Sequence, residues 1–440
     1  MSLNQESIAN LETVLNAYPQ LKIKRLFTRP EQDLDRDKAE GEKNSKQELA
    51  DLNLYFTFEL PKTVATETAE QLINSLNALE IVELAYPEPI PVPAGADVPP
   101  VTPSFESGQG YLNPAPQGID ARYAWSFPGG KGENVKFIDM EFGWRITHED
   151  LKPPFFSSTN PSASTSDVEH GTAVLGEIIG DSNGFGITGI APLADYGVVT
   201  TLAPNNTPAN AINVASSALA AGDAVLLELQ WLTSPPPGVT CSCNHGQCGS
   251  TPMEYFQAEF DAIKAATAKG IIVIEPAGNG SVNLDDPYYG GIFTRSVRDS
   301  WAIMVGASTS NTGEPMCFTN YGSRLDVRAW GENVTTTGYG GLFNGGGDPN
   351  QYYTSSFSGT SSASPIVTGA ALAIQGYKKA QTGGSVLTPL QMRDILIQTG
   401  TPQTASSKHI GPLPNLQAAL PRVLKSNNAG FLNLIRHLLD

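Results

Sequence analysis

From residue 135 onward the chain alternates short, unbroken apolar runs with stretches of helical periodicity, and few folds accept that pattern. The runs 135–140, 196–199, 224–229, 271–274 and 301–305 show no in-and-out alternation, so each strand must be covered on both faces. Between and after them, 173–179, 209–219, 253–268, 366–374 and 390–398 repeat apolar residues at helical spacing. Strands buried on both faces and separated by helices imply an α/β fold with a parallel sheet flanked by helices. In such sheets ligands sit beyond the carboxyl ends of the strands, and Asp139 lies at one of those ends.

The first 88 residues read differently. Ile8, Leu11, Val14 and Leu15 mark an amphipathic helix stopped by Pro19, and 21–27 suits a strand. The charged segment 29–49 reads as an exposed loop. Leu52, Leu54, Phe56, Phe58 and Leu60 alternate as in a half-buried strand; 69–79 is helical, and 81–86 returns as a strand. A small N-terminal α+β domain over 1–88 is therefore expected. Prolines at 87, 89, 91, 93, 99, 100 and 103 make 89–114 an extended linker, which leaves 115–440 as the main domain.

A net charge of −17 argues against nucleic acid or an anionic membrane as partner, since both need clustered Lys and Arg. No apolar run is long enough to span a membrane. The first 26 residues lack the basic start and apolar centre of a secretory signal, so a removed signal, an intracellular location and another export route all stay open. Three of the four cysteines crowd into 241–248. Cys241, Cys243, His245 and Cys248 number enough for tetrahedral zinc, but one residue between the first two is tighter than usual ligand spacing. An exposed loop with one disulfide to Cys248, or with free thiols, is favoured, with Cys317 as a small core residue.

Ser361 stands in the small-residue turn Gly359-Thr360-Ser361-Ser362-Ala363-Ser364-Pro365, ahead of an apolar helix. Orphan backbone N–H groups and the positive end of the helix dipole would stabilise negative charge beside its hydroxyl. Pro365 suits a first helical turn. Taken alone, the stretch also fits a Ser/Thr cap. Three other segments change its weight: Val135-Lys136-Phe137-Ile138-Asp139 ends a strand on a carboxylate, Glu169-His170-Gly171-Thr172 opens a helix with a histidine, and Ala277-Gly278-Asn279 follows a strand.

Together, in the order Asp, His, Ser, these segments resemble the subtilisin-like serine proteases over residues 115–424, and 318–331 is similar to another stretch of that family. The resemblance implies a subtilisin-like fold and a serine endopeptidase acting on proteins or peptides. Ser361 would be the nucleophile, His170 the base, Asp139 its orienting carboxylate and Asn279 an oxyanion donor. It also implies that the N-terminal domain is a propeptide and intramolecular inhibitor, with the linker holding or adjoining the processing site. Asp150 and Asn183 fall where oxygen ligands of a structural Ca²⁺ are expected. An extracellular location is favoured over the cytoplasm.

Two departures matter. The family usually has a small residue and a glycine after the aspartate, whereas Met140-Glu141-Phe142-Gly143 follows here, and Glu141 is expected to alter the pKa environment of the pair. The usual small substrate segment is replaced by Glu228-Leu229-Gln230-Trp231. Glu228, Leu229, Gln230 and Gly278 are accordingly the expected substrate wall, with Glu228 or Gln230 favouring a basic or polar side chain. Two alternatives to general proteolysis are dedicated precursor processing or transpeptidation, and an inactive binding protein.

Overall fold

The computed structural model describes residues 5–61, 64–88, 102–160, 162–202 and 206–424. The chain forms two compact units, 1–98 and 99–440.

In the smaller unit, helix α1 (Gln5–Asn16) precedes strand β1 (Lys22–Arg25), helix α2 (Glu31–Ser45), strand β2 (Phe56–Glu59) and helix α3 (Thr66–Asn77). β1 and β2 pair antiparallel, Ile23 opposite Phe58. The segment expected as a charged loop is helix α2. Its charges lie three and four apart, as in Asp33–Arg36 and Lys38–Glu42, and only Leu34 is buried, so apolar periodicity gave no signal. The long alternating strand shortens to β2, because Leu52–Leu54 forms a 3₁₀ turn capped by Asp51. Residues 81–86 form no strand.

Most of the proline tether, 89–101, lies outside the described residues. The last part of the expected linker belongs to the larger unit instead: Tyr111 and Leu112 are fully buried, and Tyr111 Oη donates to the Thr335 carbonyl.

The larger unit begins with the short helix α4 (Ala121–Ala124) and strand β3 (Lys136–Glu141). Strand β4 (Phe156–Ser158), helix α5 (Thr165–Ile179), strand β5 (Asp195–Thr200), helix α6 (Pro208–Ser217) and strand β6 (Ala224–Leu227) follow. Then come α7 (Gln257–Ala268), β7 (Ile272–Pro276), β8 (Ile303–Ser308), β9 (Val327–Trp330), β10 (Val334–Thr337), β11 (Tyr353–Phe357), α8 (Thr360–Gln381) and α9 (Pro389–Thr399). Residues 416–424 are helical.

Seven strands make one parallel sheet in the order β4-β5-β3-β6-β7-β8-β9. The expected α/β sheet is therefore present, with β4 and β9 as edge strands that the sequence reading did not include. β10 and β11 form a separate antiparallel pair. Side chains alternate across β3: Phe137 enters one core with α5 and α8, while Ile138 and Met140 enter the other with α6 and α7. Burying each such side chain is worth about 1.5–3 kcal/mol. The chain runs from β3 outward to β4 and β5, then returns to β6 on the other side of β3, so the carboxyl end of β3 is the topological switch point.

Candidate active site

β3 carries two carboxylates on the face it shares with Phe137. Asp139 and Glu141 are two residues apart, so both project toward α5 and α8. Asp139 aligns with Leu226 of β6, and the Glu228 N–H donates to the Met140 carbonyl just beyond that strand, which brings Glu228 beside Glu141.

His170 comes from α5. It does not open this helix but lies in its second turn, because a capping box between Ser164 and Asp167 starts the helix earlier. A Cβ on Gly171 would stand 2.3 Å from the Gly143 carbonyl, so the helix approaches the loop after β3 only because this residue has no side chain. The approach carries the imidazole to a carboxylate, and that carboxylate is Glu141: His170 Nδ1 lies 2.6 Å from Glu141 Oε2. The sequence reading gave this position to Asp139. Asp139 Oδ2 instead accepts from Trp144 Nε1 at 2.7 Å. Two residues of strand rise separate the carboxyls, and the longer Glu141 side chain reaches the ring. The phenyl edge of Phe357 holds the other side of the imidazole at 5.5 Å between centroids.

Asp139 and Glu141 are both buried, and one oxygen of each, Oδ1 and Oε1, has no other hydrogen-bond partner. A single proton between the two carboxyls satisfies both oxygens. Burial first, and then the Glu141 charge, raises Asp139 well above the ordinary carboxylate range. Burial followed by the Glu228 charge also raises Glu141. Burial lowers the His170 pKa below 6.5, against the opposing pull of Glu228 and Asp139.

Ser361 is the second residue of α8, whose N-cap is Gly359 at φ 114°. That backbone favours glycine, and the turn is held by Gly359 N–H to the Gly331 carbonyl at 3.0 Å and Ser362 Oγ to the Trp330 carbonyl at 2.9 Å. Pro365 falls in the second turn rather than the first, so the Ser361 carbonyl receives no helical bond from it.

Asn279 follows β7. Its Oδ1 accepts from Thr360 N at 2.9 Å and Thr360 Oγ1 at 3.0 Å, which fixes the amide so that Nδ2 is the free end. The point where a methyl on Gly359 would stand is 3.5 Å from Asn279 Nδ2 and 3.4 Å from Ser361 N, so two donors converge there. Gln230 Oε1 accepts from Asn279 N at 2.8 Å, and Asn320 Nδ2 binds the Ala277 carbonyl at 2.6 Å, which gives a structural role to the 318–331 stretch.

The expected substrate wall is differently employed. Glu228 is 4% exposed, and its Oε2 accepts from Ser364 Oγ at 2.5 Å, one turn along α8 from Ser361. It faces inward rather than into a cleft. Burial raises its pKa to about 8, with the Ser364 and Ser361 hydroxyls pulling it down. Leu229 packs on the core beneath α6 and α7, and Gly278 is buried at φ 94°. Glu177, seven residues after His170 on the same helix face, is fully buried with both carboxyl oxygens unpartnered. Sequence reasoning missed Glu141 as the histidine partner and Glu177 altogether. An acidic residue inside an apolar helical run was the available signal.

Asp150 and Asn183, the two expected oxygen ligands, do come together. Asp150 Oδ1 accepts from Asn183 Nδ2 and Oδ2 from Ile187 N, each at 2.8 Å, while Asn183 Oδ1 accepts from Phe185 N. Both carboxylate oxygens accept from N–H donors. Among the described residues no group of three or more His, Cys, Asp or Glu could hold a metal. Cys241 is bonded to Cys248 and Cys243 to Cys317, which sets aside both the zinc option and the expectation of Cys317 as a lone core thiol.

A sequence profile of the subtilase family matches residues 135–415, and the chain belongs to that family. It is a serine endopeptidase of the subtilisin type. Subtilisin DY of Bacillus licheniformis is 31% identical over 66% of this chain and 92% of its own length. Subtilisin Savinase of Lederbergia lenta is 27% identical over 66% and 91%. Among solved structures, a protease from Pseudoalteromonas arctica covers 73% of this chain and 99% of its own, at 20% identity and a TM-score of 0.52, which shows the shared fold.

Proposed function

We propose that the chain hydrolyses peptide bonds through Ser361, His170 and Glu141, with Asn279 and the Ser361 N–H binding the oxyanion. The observation that carries this reading is the 2.6 Å contact between His170 Nδ1 and Glu141 Oε2. With Nδ1–H donated to an ionised Glu141, Nε2 is left to accept the Ser361 proton as Oγ attacks the substrate carbonyl carbon. The carbonyl oxygen becomes an anion facing Asn279 Nδ2 and Ser361 N. On collapse the amine leaves with the proton from His170 Nε2, and water then releases the acyl group by the same route. Asp139 is the protonated carboxyl that keeps Glu141 oriented and charged.

Gln230 and Leu229 border the oxyanion segment as candidate substrate contacts, Gly278 contributes backbone only, and Glu228 acts from behind Ser361. The N-terminal unit is read as a propeptide that inhibits the enzyme until the tether is cut. Two disulfides fit an oxidising compartment, and a relative from Thermus is named an extracellular serine proteinase, so extracellular action on proteins or peptides is the reading adopted.

Fluorophosphonate labelling of Ser361 in wild type, Glu141→Ala and Asp139→Asn is the direct test. Labelling should collapse with Glu141→Ala and persist with Asp139→Asn; the reverse pattern returns the role to Asp139. Ser361→Ala chain that shortens as wild type does would end the self-maturation reading.

A further inference from the structure

Arg328 lies on edge strand β9, on the face opposite Val327 and Ala329, which enter the core beneath α8. It is 4% exposed. Its Nε is buried without a partner, and its remaining bonds are long, Nη1 to Ser308 Oγ at 3.5 Å and Nη2 to the Pro402 carbonyl at 3.4 Å. Among the described residues no carboxylate is within ion-pairing reach of it, whereas Arg295, Arg324 and Arg393 all pair with acidic side chains. Burial alone pushes Arg328 down to about 10, so it remains charged at neutral pH.

A guanidinium held out of water without a counter-charge is unfavourable, and a bound anion would relieve that cost. The side chain borders a recess of about 230 Å³ whose rim carries the hydroxyl-bearing residues Thr309, Ser310, Thr312, Thr401 and Thr404. Gly313, at φ 69°, brings the rim loop close: a Cβ there would stand 2.9 Å from Arg328 Nη2. The Thr309 and Thr312 hydroxyls bond each other, Thr404 Oγ1 donates to the Thr312 carbonyl and Glu332 Oε1 accepts from Ser310 N, which leaves the planar guanidinium fork with the Ser310 and Thr401 hydroxyls as the donor set for a small anion. With a net charge of −17 the molecule as a whole repels anions, so occupancy would depend on this local geometry.

We propose that this recess is a binding site for a small tetrahedral oxyanion, phosphate or sulfate in chemistry, held by the Arg328 guanidinium and the Ser310 and Thr401 hydroxyls. The site is separate from the catalytic groups. It sits on the strand that leads to Trp330 and Gly331, whose carbonyls brace the Ser361 turn. Bound anion would therefore stiffen the support of that turn.

The test is thermal unfolding of the full chain in a Ser361→Ala background, which prevents self-digestion, with phosphate, sulfate, acetate or chloride at equal ionic strength. Phosphate and sulfate should raise the melting temperature by about 3 °C or more in a saturable, millimolar-range titration, with acetate and chloride well below them. Arg328→Met should melt at or above the parent in chloride and lose the shift. Arg328→Lys, which keeps the charge but not the fork, should retain a weakened one. Equal shifts in the parent and Arg328→Met would mean general salt stabilisation and overturn the site, as would no shift in the parent. Acetate matching phosphate would overturn the tetrahedral assignment.

Discussion

Around Arg324 and around His170 the larger unit buries two groups of carboxylates, and it neutralises them in opposite ways. At the first, the fully buried Arg324 donates from Nε to Glu254 Oε1 at 2.7 Å, from Nη2 to Glu254 Oε2 at 2.9 Å and from Nη1 to Asp326 Oδ2 at 2.8 Å. Burial would raise Glu254, but the Arg324 charge and hydrogen bonds hold it below its ordinary value. At the second, Asp139, Glu141, Glu177 and Glu228 are buried with no lysine or arginine paired to any of them among the described residues. The cation-capable group there is His170, whose own pKa is lowered by burial. In the first cluster the fixed cation keeps Glu254 below its ordinary pKa, while Glu275 beside it is raised by burial and the Glu254 charge. In the second, burial raises Asp139, Glu141 and Glu177 well above the carboxylate range and Glu228 to about 8.

The comparison can be broken at several points. Glu141→Ala should lower kcat by about 10⁴-fold, as loss of an orienting carboxylate does, whereas Asp139→Asn should stay within about tenfold, because asparagine can accept from Trp144 and donate to Glu141. Steady-state kinetics on a chromogenic peptide separates the two, and comparable losses would mean that both carboxyls are required. Arg324→Met should destabilise by about 3–5 kcal/mol, since it strands buried carboxylates, while Glu228→Gln at pH 7 should stabilise by up to about 3 kcal/mol, because the amide carries no cost of taking up a proton above pH 4.5. Urea unfolding of the Ser361→Ala chain reads both. Asn279→Ala should cost about 10²- to 10³-fold in kcat with little change in KM.

The pH dependence gives the most discriminating effect. Glu228 binds its proton more tightly in the folded chain, at about 8 against 4.5. Its contribution to stability is therefore full below about pH 4.5 and is lost as pH rises toward 8. A melting series from pH 4.5 to 8.5 should fall in the parent and flatten in Glu228→Gln. Activity should keep its acid limb below pH 6.5, because His170 stays neutral there, and its alkaline limb should move upward in Glu228→Gln as the charge behind Ser361 disappears.

Much of this was legible in the chain. Unalternating apolar runs between helical segments required a parallel sheet with two covered faces, and the motif segments around Asp139, His170, Asn279 and Ser361 were visible in chain order. Helix α2 was not legible, because its stability comes from charge pairs rather than an apolar stripe. Edge strands β4 and β9 were missed because they are short, and β9 carries the polar Arg328.

By itself the sequence determined which residue types were available, in what order, and that a serine would stand at a helix start. The choice of carboxylate was tertiary. Asp139 and Glu141 share one face of β3, and a chain-order motif cannot measure the distance from that face to α5. Gly171 sets how closely the helix approaches, the longer side chain spans the gap, and Trp144 occupies the shorter one. Glu228 likewise turned from an expected substrate contact into a buried side chain one turn from Ser361, because the end of β6 points it at Ser364 rather than at solvent.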